Sequence, residues 1–174
     1  SLRPMKKILC LLSLFAASGF AAPLPESAKV GEFYAGCQAY TFRMFDLMEA
    51  LDKIAAAGGK TVEFFPGHVI DKMDPKMKFD HNTTLEQRAP VKAKLKALDL
   101  TPVGYGVVKL KNDEADCRKI FDFCKDMGIG IVVSEPDVDA FDLIEKLVKE
   151  YDIDDKHHKQ AISNLIHDLH ELAV

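Results

Sequence analysis

Short, nearly continuous apolar runs alternate along this chain with longer stretches whose apolar positions recur every three or four residues. The short runs fit strands covered on both faces, and the three-and-four spacing fits amphipathic helices. The pattern predicts four strand–helix units: 33–42 then 45–57, 61–65 then 84–98, 101–108 then 113–127, and 129–134 then 140–151. Such alternation demands a parallel sheet, because parallel neighbours need a connection long enough to hold a helix. Right-handed crossovers leave two α/β architectures. One is a partial (β/α)8 TIM barrel of about four βα units; the other is an open doubly wound parallel sheet.

The helices carry their own punctuation. Met44, Leu47, Met48, Leu51, Ile54 and Ala55 form the stripe of the first, Glu49 and Lys53 can pair on its wet side, and Gly58-Gly59 stops it. Thr83 and Glu86 have capping-box spacing for the second, and Pro90 predicts a kink or two short helices there. Asn112 is the expected cap of the third, which buries Ile120, Phe121, Cys124 and Met127 and ends at Gly128. Leu143, Ile144, Leu147 and Val148 mark the fourth. Beyond it, Ala161, Ile162, Leu165, Ile166, Leu169 and Leu172 predict a C-terminal amphipathic helix over 159–173, in a tail spanning 155–174. His167 and His170, one turn apart on its polar side, fit a solvated face better than a metal site.

The front of the chain reads differently. Lys6-Lys7, the apolar run 8–17 and the small residues around Ala21 make a secretory signal pattern. The run is too short to span a bilayer. Residues 1–21 are therefore expected to be a signal peptide with an upstream extension, leaving one domain over 22–154 and a secreted or periplasmic product with no membrane association after cleavage. The chain holds 27 acidic against 23 basic residues, and three of the basic ones lie in that leader. No basic cluster with interleaved aromatics is present, which argues against a nucleic-acid partner. Cys37, Cys117 and Cys124 remain after processing, an odd number that cannot all pair. Cys117 and Cys124 are seven apart on one helix, about 10 Å, too far for a bridge. Buried thiols behaving as small hydrophobes are expected.

Candidate chemistry sits at strand ends. In parallel α/β folds the carboxyl ends of the strands face the ligand. Glu63 interrupts the apolar run Thr61-Val62-Glu63-Phe64-Phe65, and Glu135 ends Ile131-Val132-Val133-Ser134-Glu135-Pro136. A carboxylate in such a place needs a cation, a metal or a hydrogen-bond donor. An internal salt bridge to Arg43 or Lys60 would serve the same need.

Several of these strand ends together resemble a known family. The segments are Cys37-Gln38-Ala39-Tyr40-Thr41-Phe42-Arg43, Gly59-Lys60-Thr61-Val62-Glu63, Pro66-Gly67, Pro102-Val103-Gly104-Tyr105-Gly106-Val107-Val108 and Val133-Ser134-Glu135-Pro136. Over 33–152 the chain resembles the N-terminal half of the sugar phosphate isomerase/epimerase family, which has a xylose isomerase-like TIM barrel. The resemblance implies a secreted enzyme of carbohydrate metabolism that moves a proton or hydride on a sugar or sugar phosphate with metal assistance. It implies substrate-pocket positions at Gln38, Tyr40, Glu63, His68, Tyr105 and Glu135. The divalent metal it implies is held mainly by later strands, so this chain alone is not expected to bind the ion. At Asp155-Lys156-His157-His158-Lys159 the sequence departs from the family pattern. Four units alone are thus expected to be weakly active or inactive. Two alternatives stand beside that reading: a non-catalytic secreted sugar-binding module, and a half-barrel that completes itself as a homo-oligomer.

Overall fold

The computed structural model of the chain describes residues 23–151. The expected signal peptide and the expected tail helix over 159–173 lie outside the described residues. In chain order the elements are β1 (Lys29–Val30), β2 (Phe33–Tyr34), β3 (Cys37–Gln38), a 3-10 turn (Ala39–Phe42), α1 (Leu47–Ala56) and β4 (Thr61–Phe64). There follow β5 (His68–Asp71), β6 (Asp74–Phe79), α2 (Leu85–Ala97), β7 (Thr101–Leu110), α3 (Glu114–Met127), β8 (Ile131–Pro136) and α4 (Phe141–Glu150). The fold is α/β: β3, β4, β7 and β8 form a parallel four-stranded sheet in that order, accompanied by the helices. Two antiparallel pairs, β1–β2 and β5–β6, are appended to it.

Each helix starts and stops for a local reason. Asp46 caps α1 by accepting from the Glu49 amide at 2.8 Å. Leu47, Ala50, Leu51 and Ile54 are its buried stripe, while Met44 precedes the helix and lies 84% exposed. Lys53 reaches Glu49 as the spacing predicts. The capping box of α2 sits one residue later than expected, between Thr84 and Gln87. Thr83 is instead turned inward, bonding the Asp80 carbonyl and the Arg88 guanidinium. Nor does Pro90 divide the helix. It and Glu86, whose carbonyl loses its helical partner there, are both exposed, so water can replace the missing bond. Asp113 rather than Asn112 caps α3, accepting from the Asp116 amide at 3.1 Å. Gly128 ends it at φ 72°, a left-handed conformation.

The expected first strand, 33–42, is three separate pieces. The Ala35 amide bonds back to the Ala28 carbonyl, and the Ala35 carbonyl accepts from Thr61 Oγ1 at 3.0 Å. These bonds turn the chain from the hairpin into the sheet. Immediately after Gln38 the backbone coils, so only Cys37 and Gln38 remain to pair with β4.

The core lies between the sheet and its helices. Phe64, Phe79, Phe123 and Tyr105 pack ring against ring, with centroid separations of 4.7–5.3 Å. Ion pairs link the helices in sequence. Lys94 of α2 meets Asp52 of α1, and Arg88 and Lys92 of α2 meet Asp126 of α3. Arg118 of α3 meets Glu150 of α4. Helices so joined, first to second to third to fourth, form one continuous layer.

Candidate functional site

Strand register builds the site. Gln38 at the end of β3 lies opposite Glu63 of β4, Glu63 lies opposite Gly104 of β7, and Gly104 lies opposite Ile131 of β8. Side chains alternate along strands, and Val62 and Phe64 are buried in the core. Glu63 therefore points to the other face, with Gln38. There Gln38 Nε2 donates to Glu63 Oε1 at 2.7 Å. Neither expected cation takes Glu63: Lys60 pairs with Asp99 at 2.9 Å, and Arg43 stacks over Tyr40, its guanidinium carbon 4.6 Å from the ring centre.

Gly104 makes room for the pair. A Cβ on residue 104 would stand 2.9 Å from Glu63 Cγ, so the carboxylate arm lies across backbone that carries no side chain. Gly106, two residues on and on the same face, is closely covered by Val133 of β8. Each glycine is thus a close approach, Gly104 under Glu63 and Gly106 under Val133. Their importance is hard to read from sequence, where a strand glycine signals only a close approach.

An aromatic wall stands just beyond the pair, at the carboxyl ends of β3 and β4. Tyr40 is half-exposed and meets Phe65 edge to face at 5.1 Å. Phe65 in turn stacks on His68 at 4.6 Å and 24°. His68 is 2% exposed and lies behind the wall rather than on its surface. Its Nε2 is 3.0 Å from the Phe45 carbonyl, and burial holds its pKa below the ordinary value.

Of the six positions the resemblance implied, Gln38 and Glu63 are in contact and Tyr40 belongs to the adjoining wall. The other three are placed elsewhere. Tyr105 sits opposite Phe64 in the register and so faces the helices, where it is fully buried against Phe123. Its hydroxyl lies 3.0 Å from His81 Nδ1 and accepts from the His81 amide. Burial drives the Tyr105 pKa well above the ordinary phenol range. Glu135 is exposed, opposite Lys109 and four residues beyond Ile131, roughly 13 Å along the strand from the Glu63 rung. Residues missed by the sequence reading are Phe65 and Gly104 beside the pair, and His81, which Tyr105 holds in place. Phe65 reads as one more member of its apolar run, and a lone histidine carries no pattern that would have marked it.

Cys117 and Cys124 are buried as the sequence suggests, while Cys37 is only half-buried. Burial pushes Cys124 up to about 12 and raises Cys117 as well. A zinc-type site is built from three or four converging protein ligands. Among the described residues no three His, Cys, Asp or Glu side chains come together.

No family model matches the chain, and no curated protein does. Among solved structures it is similar to an uncharacterised protein from Parabacteroides distasonis, whose crystal structure was determined at 2.32 Å. The TM-score is 0.62 at 29% sequence identity, over 67% of this chain and 49% of that one. The chain thus spans about half the length of that neighbour, and the likeness bears on fold rather than activity.

Proposed function

We propose that these four units are the sugar-binding half of a secreted xylose isomerase-like barrel of the isomerase/epimerase type, acting on a sugar or sugar phosphate. The observation that carries this reading is the Gln38–Glu63 pair laid over Gly104. A carboxylate fixed by an amide leaves one carboxylate oxygen and the amide oxygen free to accept. Neighbouring hydroxyls on a sugar ring or chain can donate to both at once. The exposed Tyr40 ring beside them offers a flat apolar surface to carbon-bound hydrogens of the same ligand.

Topology supports the barrel half of the proposal. Strand order follows chain order from β3 to β8, and the ion-paired helices run in the same order in one layer. Adding every unit at the same edge is how a barrel grows, whereas a doubly wound sheet reverses direction at a switch point. A neighbour about twice as long as the part it shares with this chain agrees with four units being half of a larger whole.

Calorimetric titration of the chain with aldoses, ketoses and their phosphates tests the reading. Binding is expected for at least one of them, and Glu63→Ala is expected to weaken it by about tenfold, the worth of one hydrogen bond to a charged group. Absence of binding across both sets, or equal affinity of Glu63→Ala, would overturn it.

A further inference from the structure

His68 joins two segments that the sheet does not hold together. Its Nε2 meets the carbonyl of Phe45, in the loop before α1, while the residue itself opens the β5–β6 hairpin. A carbonyl can only accept, so Nε2 carries the hydrogen and Nδ1 of the neutral ring is a bare acceptor. That Nδ1 is buried and, among the described residues, has no hydrogen-bond partner. Orphaned buried acceptors are uncommon in proteins and ask for an explanation. The ring also backs Phe65, which backs Tyr40, so anything that moves His68 moves the wall beside the Gln38–Glu63 pair.

We propose that His68 is an acid-sensitive positioning residue: its neutral ring clamps the loop before α1 to the β5–β6 hairpin and so sets the Phe65–Tyr40 wall, and uptake of a proton at Nδ1 releases the clamp. The clamp exists whatever the wall binds, so the inference does not rest on the sugar reading. A proton on Nδ1 creates a charged ring and a new donor in a buried place where the described residues offer no acceptor. Two charged groups act on the ring: Asp46, the cap of α1, favours the proton, and Lys78 of β6 opposes it. Burial is the largest influence and holds the pKa below the ordinary 6.5. A lowered folded-state pKa means that the unfolded or released state binds the proton more readily. The stabilisation is therefore complete above 6.5 and is lost as pH falls from there toward the folded-state value. Within that window each pH unit shifts the balance of clamped and released forms by at most about tenfold.

Hydrogen exchange on the whole chain at about pH 7.5 and about pH 5 tests this, with intrinsic exchange rates corrected for. Wild type should lose protection at the lower pH in 43–46 and 68–79, up to the tenfold-per-unit limit, while α3 stays unchanged. His68→Gln presents a donor like Nε2–H but cannot titrate, so its protection should be the same at both pH values. His68→Phe keeps the stack without the donor and should be loosened equally at both. Equal protection of wild type at the two pH values, or an acid response preserved in His68→Gln, would overturn the proposal. Should the variants fail to fold, the His68 ring titration in wild type decides. A midpoint at or above 6.5 refutes it, and a lower midpoint that coincides with the loss of protection supports it.

Discussion

The space beside Glu63 exists because residue 104 has no side chain, and the neighbouring glycine serves a different purpose. In Gly104→Ala the new methyl would stand 2.9 Å from Glu63 Cγ and 3.4 Å from its Cβ, so the carboxylate arm must shift. The expected cost is loss of the Gln38 hydrogen bond, about tenfold in any sugar affinity and about 1 kcal/mol in urea unfolding. In Gly106→Ala the methyl is driven into the Val133 backbone, which cannot swing. That variant should lose about 1–3 kcal/mol in the same urea measurement. Reversed outcomes would show that residue 106, not residue 104, sets the place of Glu63. Tyr105→Phe separates the two faces of the sheet. The hydroxyl bonds His81 on the helix side, so the change should cost about 1 kcal/mol of stability and leave sugar titrations untouched. A fall in affinity would return Tyr105 to the ligand side. Its position was misread from the sequence for a simple reason. Alternation tells which residues share a face, and only the register with Phe64 tells which face that is.

Among the elements, the second helix shows how tertiary structure overrules a local signal. Pro90 remains within a continuous α2 because the broken rung faces water. Pro90→Ala should therefore stabilise the chain by about 1–3 kcal/mol by thermal or urea unfolding, since it restores an amide and removes a ring clash. The helix layer has its own pH signature at Asp126. Partial burial alone would raise this carboxyl, but bonds from Lys92 and Arg88 outweigh that and hold it below 3.8. A depressed folded-state pKa gives stability that is complete above 3.8 and drains away as pH falls below it. Asp126→Asn should weaken the chain at neutral pH and flatten that part of the acid limb in denaturation curves. The four helices and the last three sheet strands were legible because each has a period, a stop or a cap written within a few residues. The β5–β6 hairpin was not. Its strands carry Asp71, Asp74, Pro75, Lys76 and Lys78, all exposed, and Ile70 and Phe79 are their only fully buried apolar residues, beside a buried His68 and a partly buried Met77. Two buried apolar residues split between two strands give no apolar alternation long enough to read.

On the scale of the whole molecule, the two edges of the sheet are unequal. β3 offers two residues before the chain coils away, a blunt edge of the kind that discourages pairing. β8 offers six, half-exposed over most of its length, and among the described residues no strand lies on its far side. An open edge of that length is a template for another strand unless something covers it. In the barrel reading the next strand belongs there, which makes β8 the place where four units alone are least complete. The chain is thus expected to self-associate through β8, its apparent mass in sedimentation equilibrium rising with concentration. Val133 lies on the face away from the helices, as its approach to Gly106 indicates. Val133→Lys puts a charge on that face, which an incoming strand would have to bury, and should hold the chain as a monomer. Identical sedimentation of wild type and Val133→Lys would place any association elsewhere. A wild type that stays monomeric at every concentration would mean that the edge is already covered, and the topological argument for a half-barrel would lose its physical consequence.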